Sequence, residues 1–280
     1  MDIKEIVIDY SQEIYLSNDL NMLIHKLDTK KHIIQRMRPF EEPYLTQVKE
    51  FYKVDNVWAS EAVEGNSLTL SETKILLEDG ITIAGKPVKD ILRICGHGEA
   101  YDYMFSLLEN KTLTLDDICY MHKLLMQKED EKIAGIYKAY QNFVSGSSYT
   151  TIPSEQVEDE MNKLADWMNA CRDNLHPVVY AAELHRKLVY IHPFSDGNGR
   201  AARLAMNAVL IQNGYLPCPI APVIKLEYNN ALEAGRGGRT EDFIRVIVEA
   251  EHETLKDFGR YMHIDFKKDI CVELDEELER

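Results

Sequence analysis

Residues 201–211, Ala-Ala-Arg-Leu-Ala-Met-Asn-Ala-Val-Leu-Ile, are apolar on nearly every side of a helical projection. A helix of that kind has no face to give to water, so it must run through the middle of a bundle, where its alanines let neighbouring helices approach closely. Most of the 280-residue chain repeats the helical period. Tyr44, Val48, Phe51, Tyr52, Val57, Trp58 and Ala62 share one side of a helix over 44–63. Ile91, Ile94, Cys95, Tyr101, Met104, Phe105 and Leu108 predict another from Pro87 to about Glu109. Thr114-Leu-Asp-Asp117 and Pro153-Ser154 read as helix starts, and His176-Pro177 opens a helix through Tyr190 that Pro193 stops. Asn213-Gly214 ends the apolar helix, and two more cover about 226–235 and 240–258. Only about 139–152, with aromatic and β-branched residues around Ser145-Gly146-Ser147-Ser148, has the pattern of a short β-hairpin. The expected class is therefore all-α, a helical bundle with one hairpin.

Hydrophobic residues make up 45% of the chain, enough for a packed core. The balance of 47 Asp and Glu against 32 Lys and Arg gives a formal net charge of −15. A surface that coats nucleic acid or anionic lipid needs clustered Lys and Arg, so neither partner is expected. A small phosphorylated ligand needs only a few placed cations and backbone N–H groups. The cysteines number 5, lie far apart and form no C-x-x-C pair, which points to a reduced compartment. There is neither an apolar signal core at the start nor a run of apolar residues long enough to span a bilayer, so a soluble, cytoplasmic protein is expected. Glu273–Glu279 reads as an acidic, solvated end.

The chemistry is concentrated in His192-Pro-Phe-Ser-Asp196-Gly197-Asn198-Gly199-Arg200-Ala-Ala-Arg203, between two helices. Gly197 and Gly199 permit positive φ and close backbone approach to a ligand. The free N–H groups of the following first turn attract anions, and Arg200 and Arg203, three apart, are neighbours on one helix face. Those features suit phosphate. Asp196 adds a hard oxygen ligand fit for Mg²⁺, and His192 is a side chain able to take a proton at neutral pH.

The same run resembles the signature of Fic-domain proteins, H-P-F-x-D/E-G-N-G-R-x-x-R, at every defined position. The resemblance implies a Fic core from about 87 to 258, an N-terminal helical region over 1–86 and an acidic C-terminal segment over 259–280. It implies a protein adenylyltransferase that carries AMP from ATP to a Ser, Thr or Tyr hydroxyl of a target protein and of itself. In that reading His192 deprotonates the hydroxyl, Asp196 holds Mg²⁺, and Gly197, Asn198 and Gly199 cradle the phosphates. Arg200 and Arg203 neutralise the β- and γ-phosphates, and Phe194 anchors the loop. Glu227-Tyr228-Asn229-Asn-Ala-Leu232 is similar to the family's helix along the far side of the nucleotide, where Tyr228 and Asn229 are candidate contacts; a core tyrosine is the equal alternative for Tyr228. The hairpin lies where the family has its target-docking flap, at about 142–150. Gly135-Ile-Tyr137-Lys138 departs from the pattern, since many relatives have Arg at Lys138, and no role is assigned to it.

Ser60-Glu-Ala-Val-Glu64-Gly65-Asn66 is, on composition, an amphipathic helix ending at glycine. It also fits the family's inhibitory pattern S/T-x-x-x-E-G/N. The resemblance thus implies autoinhibition by a Glu64–Arg203 pair, with Ser60 on the same helix face holding the inhibitory helix in place. The alternative readings are a Fic enzyme using UTP or CDP-choline, an enzyme that removes AMP, and a non-catalytic nucleotide-binding regulator; a homodimer is left open.

Overall fold

The computed structural model describes residues 4–37, 44–109, 112–144 and 147–266. The helices are α1 (Asn18–Met37), α2 (Tyr44–Val63), α3 (Leu70–Lys74), α4 (Val88–Ser106), α5 (Leu115–Met126), α6 (Val157–Cys171), α7 (Pro177–Ile191), α8 (Asn198–Gln212), α9 (Lys225–Arg236) and α10 (Thr240–Tyr261). The local signals act where the sequence puts them. Thr114 accepts from the Asp117 N–H at 3.2 Å while Asp117 accepts from the Thr114 N–H at 2.9 Å, a reciprocal cap at the start of α5. His176 caps α7 ahead of Pro177, and Asn213 follows α8.

The apolar helix is α8. It is covered by α2, α4, α5 and α7, and Ala202, Ala205 and Ala208 are wholly buried. Those small side chains bring α7 against α8, and their shared end carries the loop 192–197. Charged groups also sit inside the bundle. Glu183 of α7 takes Arg186 at 2.8 Å and Lys187 at 3.2 Å, and Lys187 reaches the Asp9 carbonyl at 2.5 Å, tying the N-terminal segment to the core.

The hairpin expected at 139–152 is not formed as a ladder among the described residues, and Ser145 and Gly146 lie outside them. Two isolated bridges occur instead, Lys4 with Tyr149 in parallel and Tyr137 with Phe194 antiparallel. The arms meet through side chains: Thr151 Oγ1 donates to the Asn142 carbonyl at 2.9 Å, and Gln141 Nε2 donates to the Thr151 carbonyl at 3.1 Å. Polar side chains have taken the backbone partners that cross-strand pairing would use. Most of the acidic C-terminal segment, from residue 267, lies outside the described residues. Among the described residues no helix is long and apolar enough to cross a membrane.

Candidate active site

α7 ends on His192, whose φ of 53° is a left-handed conformation that a non-glycine residue rarely holds. The loop then turns at Gly197, φ 76°, into α8. It is braced from several sides. Asn198 accepts from the Phe194 N–H and donates to the Phe194 carbonyl, both at 2.8 Å, closing the turn on itself. The Phe194 ring is buried and stacks on His122 at 3.7 Å and 5°, as an anchor should. His122 Nε2 meets the Asp196 carbonyl at 2.9 Å, and its Nδ1 accepts from the Gly135 N–H at 3.0 Å. Burial holds His122 at about 4 and therefore neutral, the one form that can donate on one side and accept on the other. A methyl built on Gly197 would sit 3.0 Å from Met126 Sδ and 3.2 Å from His122 Nε2, so a side chain would disturb this floor as well as the positive φ.

No side chain caps α8. Among the described residues the N–H groups of Asn198, Gly199 and Arg200 have no acceptor, and the helix offers them to whatever anion lies across its end. Glu64 lies there. Its Oε1 is 2.7 Å from Arg203 Nη2, and a methyl built on Gly199 would be 2.7 Å from the same oxygen. Burial raises the Glu64 carboxyl but the Arg203 charge outweighs it, so the group stays below its ordinary value and ionised. The pair is single-pronged, and Arg203 spends its other donors elsewhere: Nε on Ser60 Oγ at 2.8 Å, Nη2 also on the Ser60 carbonyl at 3.1 Å, and Nη1 on Tyr228 Oη at 3.4 Å.

The two arginines share a helix side but not a ligand. Arg200 is buried and meets Glu61 at 3.3 Å, Asp196 at 3.8 Å and Glu129 at 3.9 Å. Glu61 also binds His97 Nδ1 at 3.0 Å; burial raises its carboxyl, yet His97 and Arg200 bring it to about 2. Asp196 is 51% exposed beside the α8 terminus, with Arg93 at 3.3 Å from Oδ2. His192 donates Nδ1–H to the Val189 carbonyl at 3.3 Å, which leaves Nε2 as the acceptor, without a partner among the described residues. Burial, aided by Lys138 and Arg236, lowers His192 to about 4, so the ring is neutral at pH 7. Lys138 is itself buried, donates to Asn142 Oδ1 at 2.8 Å and Thr151 Oγ1 at 3.1 Å, and is lowered to about 8 by burial.

The structure therefore gathers His192, Asp196, Gly197, Asn198, Gly199, Arg203, Ser60 and Glu64 at one end of α8. It does not bring Tyr228 and Asn229 there as open contacts. Tyr228 is buried with its hydroxyl on His185 Nε2 at 2.9 Å and on Arg203, and Asn229 is exposed on α9. Glu61, Arg93, His97, His122 and Glu129 are additions that local sequence pattern does not point to.

Fold and site define an all-helical protein built around an uncapped helix terminus, with a neutral histidine on one side and an internal carboxylate across it. Residues 112–210 match the model of the Fic/DOC family. A relative from Nematostella vectensis, named protein adenylyltransferase Fic, is 34% identical over 236 residues, which is 83% of this chain and 55% of the relative. The solved structure of Fic-1 from C. elegans superposes with a TM-score of 0.77 at 26% identity, covering 88% of this chain and 74% of that one. A Fic domain containing signaling protein from Bacteroides thetaiotaomicron gives 0.75 at 26% identity, covering 89% and 98%. The chain carries a Fic/DOC-family domain over residues 112–210. It spans about half the length of the curated relatives it matches.

Proposed function

We propose that this protein transfers AMP from ATP to a Ser, Thr or Tyr hydroxyl of a target protein, and that Glu64 restrains the transfer. The observation that carries the reading is Glu64 seated on Arg203 across the uncapped start of α8, where a triphosphate would otherwise end. The names of the relatives support the AMP donor.

The chemistry follows from the residues. His192 Nε2 accepts the hydroxyl proton, the freed oxygen attacks the α-phosphorus, and the bond to the β-phosphate breaks to release pyrophosphate. A histidine held at about 4 is a weak base, but a polyanion laid beside it favours its protonated form and lifts it toward neutrality. The N–H groups of α8 receive charge on the phosphates, and Arg203 meets the distal phosphate once Glu64 has swung aside. Asp196, half exposed next to those N–H groups, fits Mg²⁺, which takes one or two carboxylates and fills its shell from phosphate and water. Bound there, the ion neutralises phosphate charge.

The segment around 142–150 is the target-docking surface in this reading. It is tied to the catalytic loop by the Tyr137–Phe194 bridge and by Asn142 Nδ2 on the Phe194 carbonyl at 2.9 Å, while Phe143 is 74% exposed nearby. An extended target segment laid against it would bring a hydroxyl toward His192.

The test is mass spectrometry of Glu64→Gly protein incubated with cell lysate and ATP, in parallel with UTP and CDP-choline. A mass increase of one AMP on a hydroxyl residue, roughly tenfold or more above wild type and absent from the Glu64→Gly/His192→Ala double variant, is the expected result. Equal transfer by wild type and Glu64→Gly removes the restraint, and transfer from another donor alone removes the AMP reading.

A further inference from the structure

Arg93 lies on α4, and its guanidinium is gripped by Glu129 in two places, Nε to Oε2 at 2.7 Å and Nη2 to Oε1 at 3.0 Å. The same Nη2 stands 3.3 Å from Asp196 Oδ2. Lys89 adds a contact to Glu129 Oε1 at 2.6 Å, so the carboxylate that holds Arg93 is itself held. The other oxygen of Asp196 accepts the Gly197 N–H at 2.6 Å and has Arg200 Nη2 at 3.8 Å. One carboxylate is thus bracketed by two guanidiniums, and among the described residues no group of three His, Cys, Asp or Glu side chains supplies a competing cation cage.

We infer that Arg93, pinned by Glu129, sets the divalent-cation affinity of Asp196, so that the metal enters with the nucleotide's phosphates and not before them. The inference rests on the reading of Asp196 as the metal-holding residue. A Mg²⁺ or Mn²⁺ bound about 2.1 Å from a carboxylate oxygen would come within roughly 4–5 Å of the Arg93 guanidinium, a repulsion that a lone carboxylate does not offset. Phosphate oxygens reverse that balance, because they bring negative charge to the metal and give Arg93 a further anion beside Glu129 and Asp196. Arg93 cannot simply swing away, since that would break both bonds to Glu129. Its role is that of a positioning residue, acting on the metal through Asp196.

The experiment is titration with Mn²⁺, followed by the electron paramagnetic resonance of the free ion, with and without a non-hydrolysable ATP analogue. Arg93→Gln is expected to bind Mn²⁺ alone about tenfold or more tightly than wild type, with a smaller gain when the analogue is present. Arg93→Lys, which keeps the charge, returns affinity to within about threefold of wild type. Should Arg93→Gln fail to fold, Glu129→Gln gives the opposite sign: Arg93, released from Glu129, leans wholly on Asp196 and Mn²⁺ binding weakens severalfold. Unchanged Mn²⁺ affinity in Arg93→Gln, while Asp196→Asn loses the metal, overturns the inference and leaves the role of Asp196 standing. Equal Mn²⁺ binding by Asp196→Asn and wild type overturns both.

Discussion

Helices α2 and α8 meet through two ion pairs of the same chemistry. Glu61 binds Arg200 and Glu64 binds Arg203, each partner three residues from its counterpart. They differ in what surrounds them. The Glu61 side chain has 0% exposure and a second partner in His97, whereas Glu64 is 38% exposed and grips Arg203 through one oxygen. The inner pair is a weld between the helices, and in the proposed function the outer pair is a latch that one carboxylate rotation would open. Opening it need not move α2, because Ser60 keeps hold of Arg203 through both its hydroxyl and its carbonyl. Glu64 is the first residue past the end of α2, and Gly65 at φ 90° then turns the chain away, so no later side chain follows the helix toward the site.

The weld should fail hardest. Glu61→Ala takes from buried Arg200 its nearest counter-charge, leaving only Asp196 and Glu129 at 3.8 and 3.9 Å, and strips His97 of its partner, a loss of about 3–5 kcal/mol, which for a chain of this size lowers the melting temperature by roughly 10 °C. Glu64→Ala removes a contact whose arginine is buried but whose carboxylate faces water; Arg203 keeps its hydrogen bonds to Ser60 and Tyr228, so the loss is smaller, about 1–3 kcal/mol. Thermal unfolding of the two single variants measures the contrast. Equal shifts would mean that the inner and outer pairs are energetically alike and that the latch is no easier to open than the weld.

Much of this was legible in the sequence, and the reasons for the rest are physical. An all-round apolar helix leaves one solution, so α8 and its central place follow from residues 201–211, and α2 has the limits its spacing predicts. The loop was legible because its chemistry is contiguous: glycines, carboxylate, histidine and arginines fall within twelve residues. The welds were not, since Glu61, His97 and Arg200 lie far apart in the chain and a buried charge looks like a surface charge until its partner is known. A signal did exist in the matched three-residue spacing of Glu61 with Glu64 and Arg200 with Arg203. Likewise Leu20, Ile24, Leu27 and Ile34 carry a helical period that marks α1. The hairpin ladder does not follow from the pattern because β-branched residues around a Ser-Gly turn do not reveal that the Gln141 and Thr151 side chains will take the backbone partners themselves.

Ser60 separates latch from weld more finely. Ser60→Ala deprives Arg203 Nε of its hydroxyl acceptor but leaves the carbonyl contact, so about 1 kcal/mol is lost, or roughly 2–4 °C in melting temperature. Its larger consequence lies in the latch: an arginine held less firmly by α2 gives Glu64 a less fixed partner. Transfer by Ser60→Ala, measured with labelled ATP, should exceed wild type while staying below Glu64→Gly. A Ser60→Ala rate at or below wild type would assign the serine to the fold alone.

The smallest expected effect is the pH response of the latch. Glu64 is held below its ordinary carboxyl value of 4.5, so its contribution is complete above that value and is lost only as pH falls through the lowered one. The ratio of transfer by Glu64→Gly to transfer by wild type should therefore stay flat between pH 6 and 8. Stability behaves otherwise. His192 and His122 are lowered from 6.5 to about 4, so between those values the unfolded chain binds more protons than the folded one and the melting temperature falls with acidification. A transfer ratio that changes across pH 6 to 8 would mean that a histidine, not the Glu64 carboxylate, gates the site, and His192, the nearest titrating ring to the loop, would be the first to substitute.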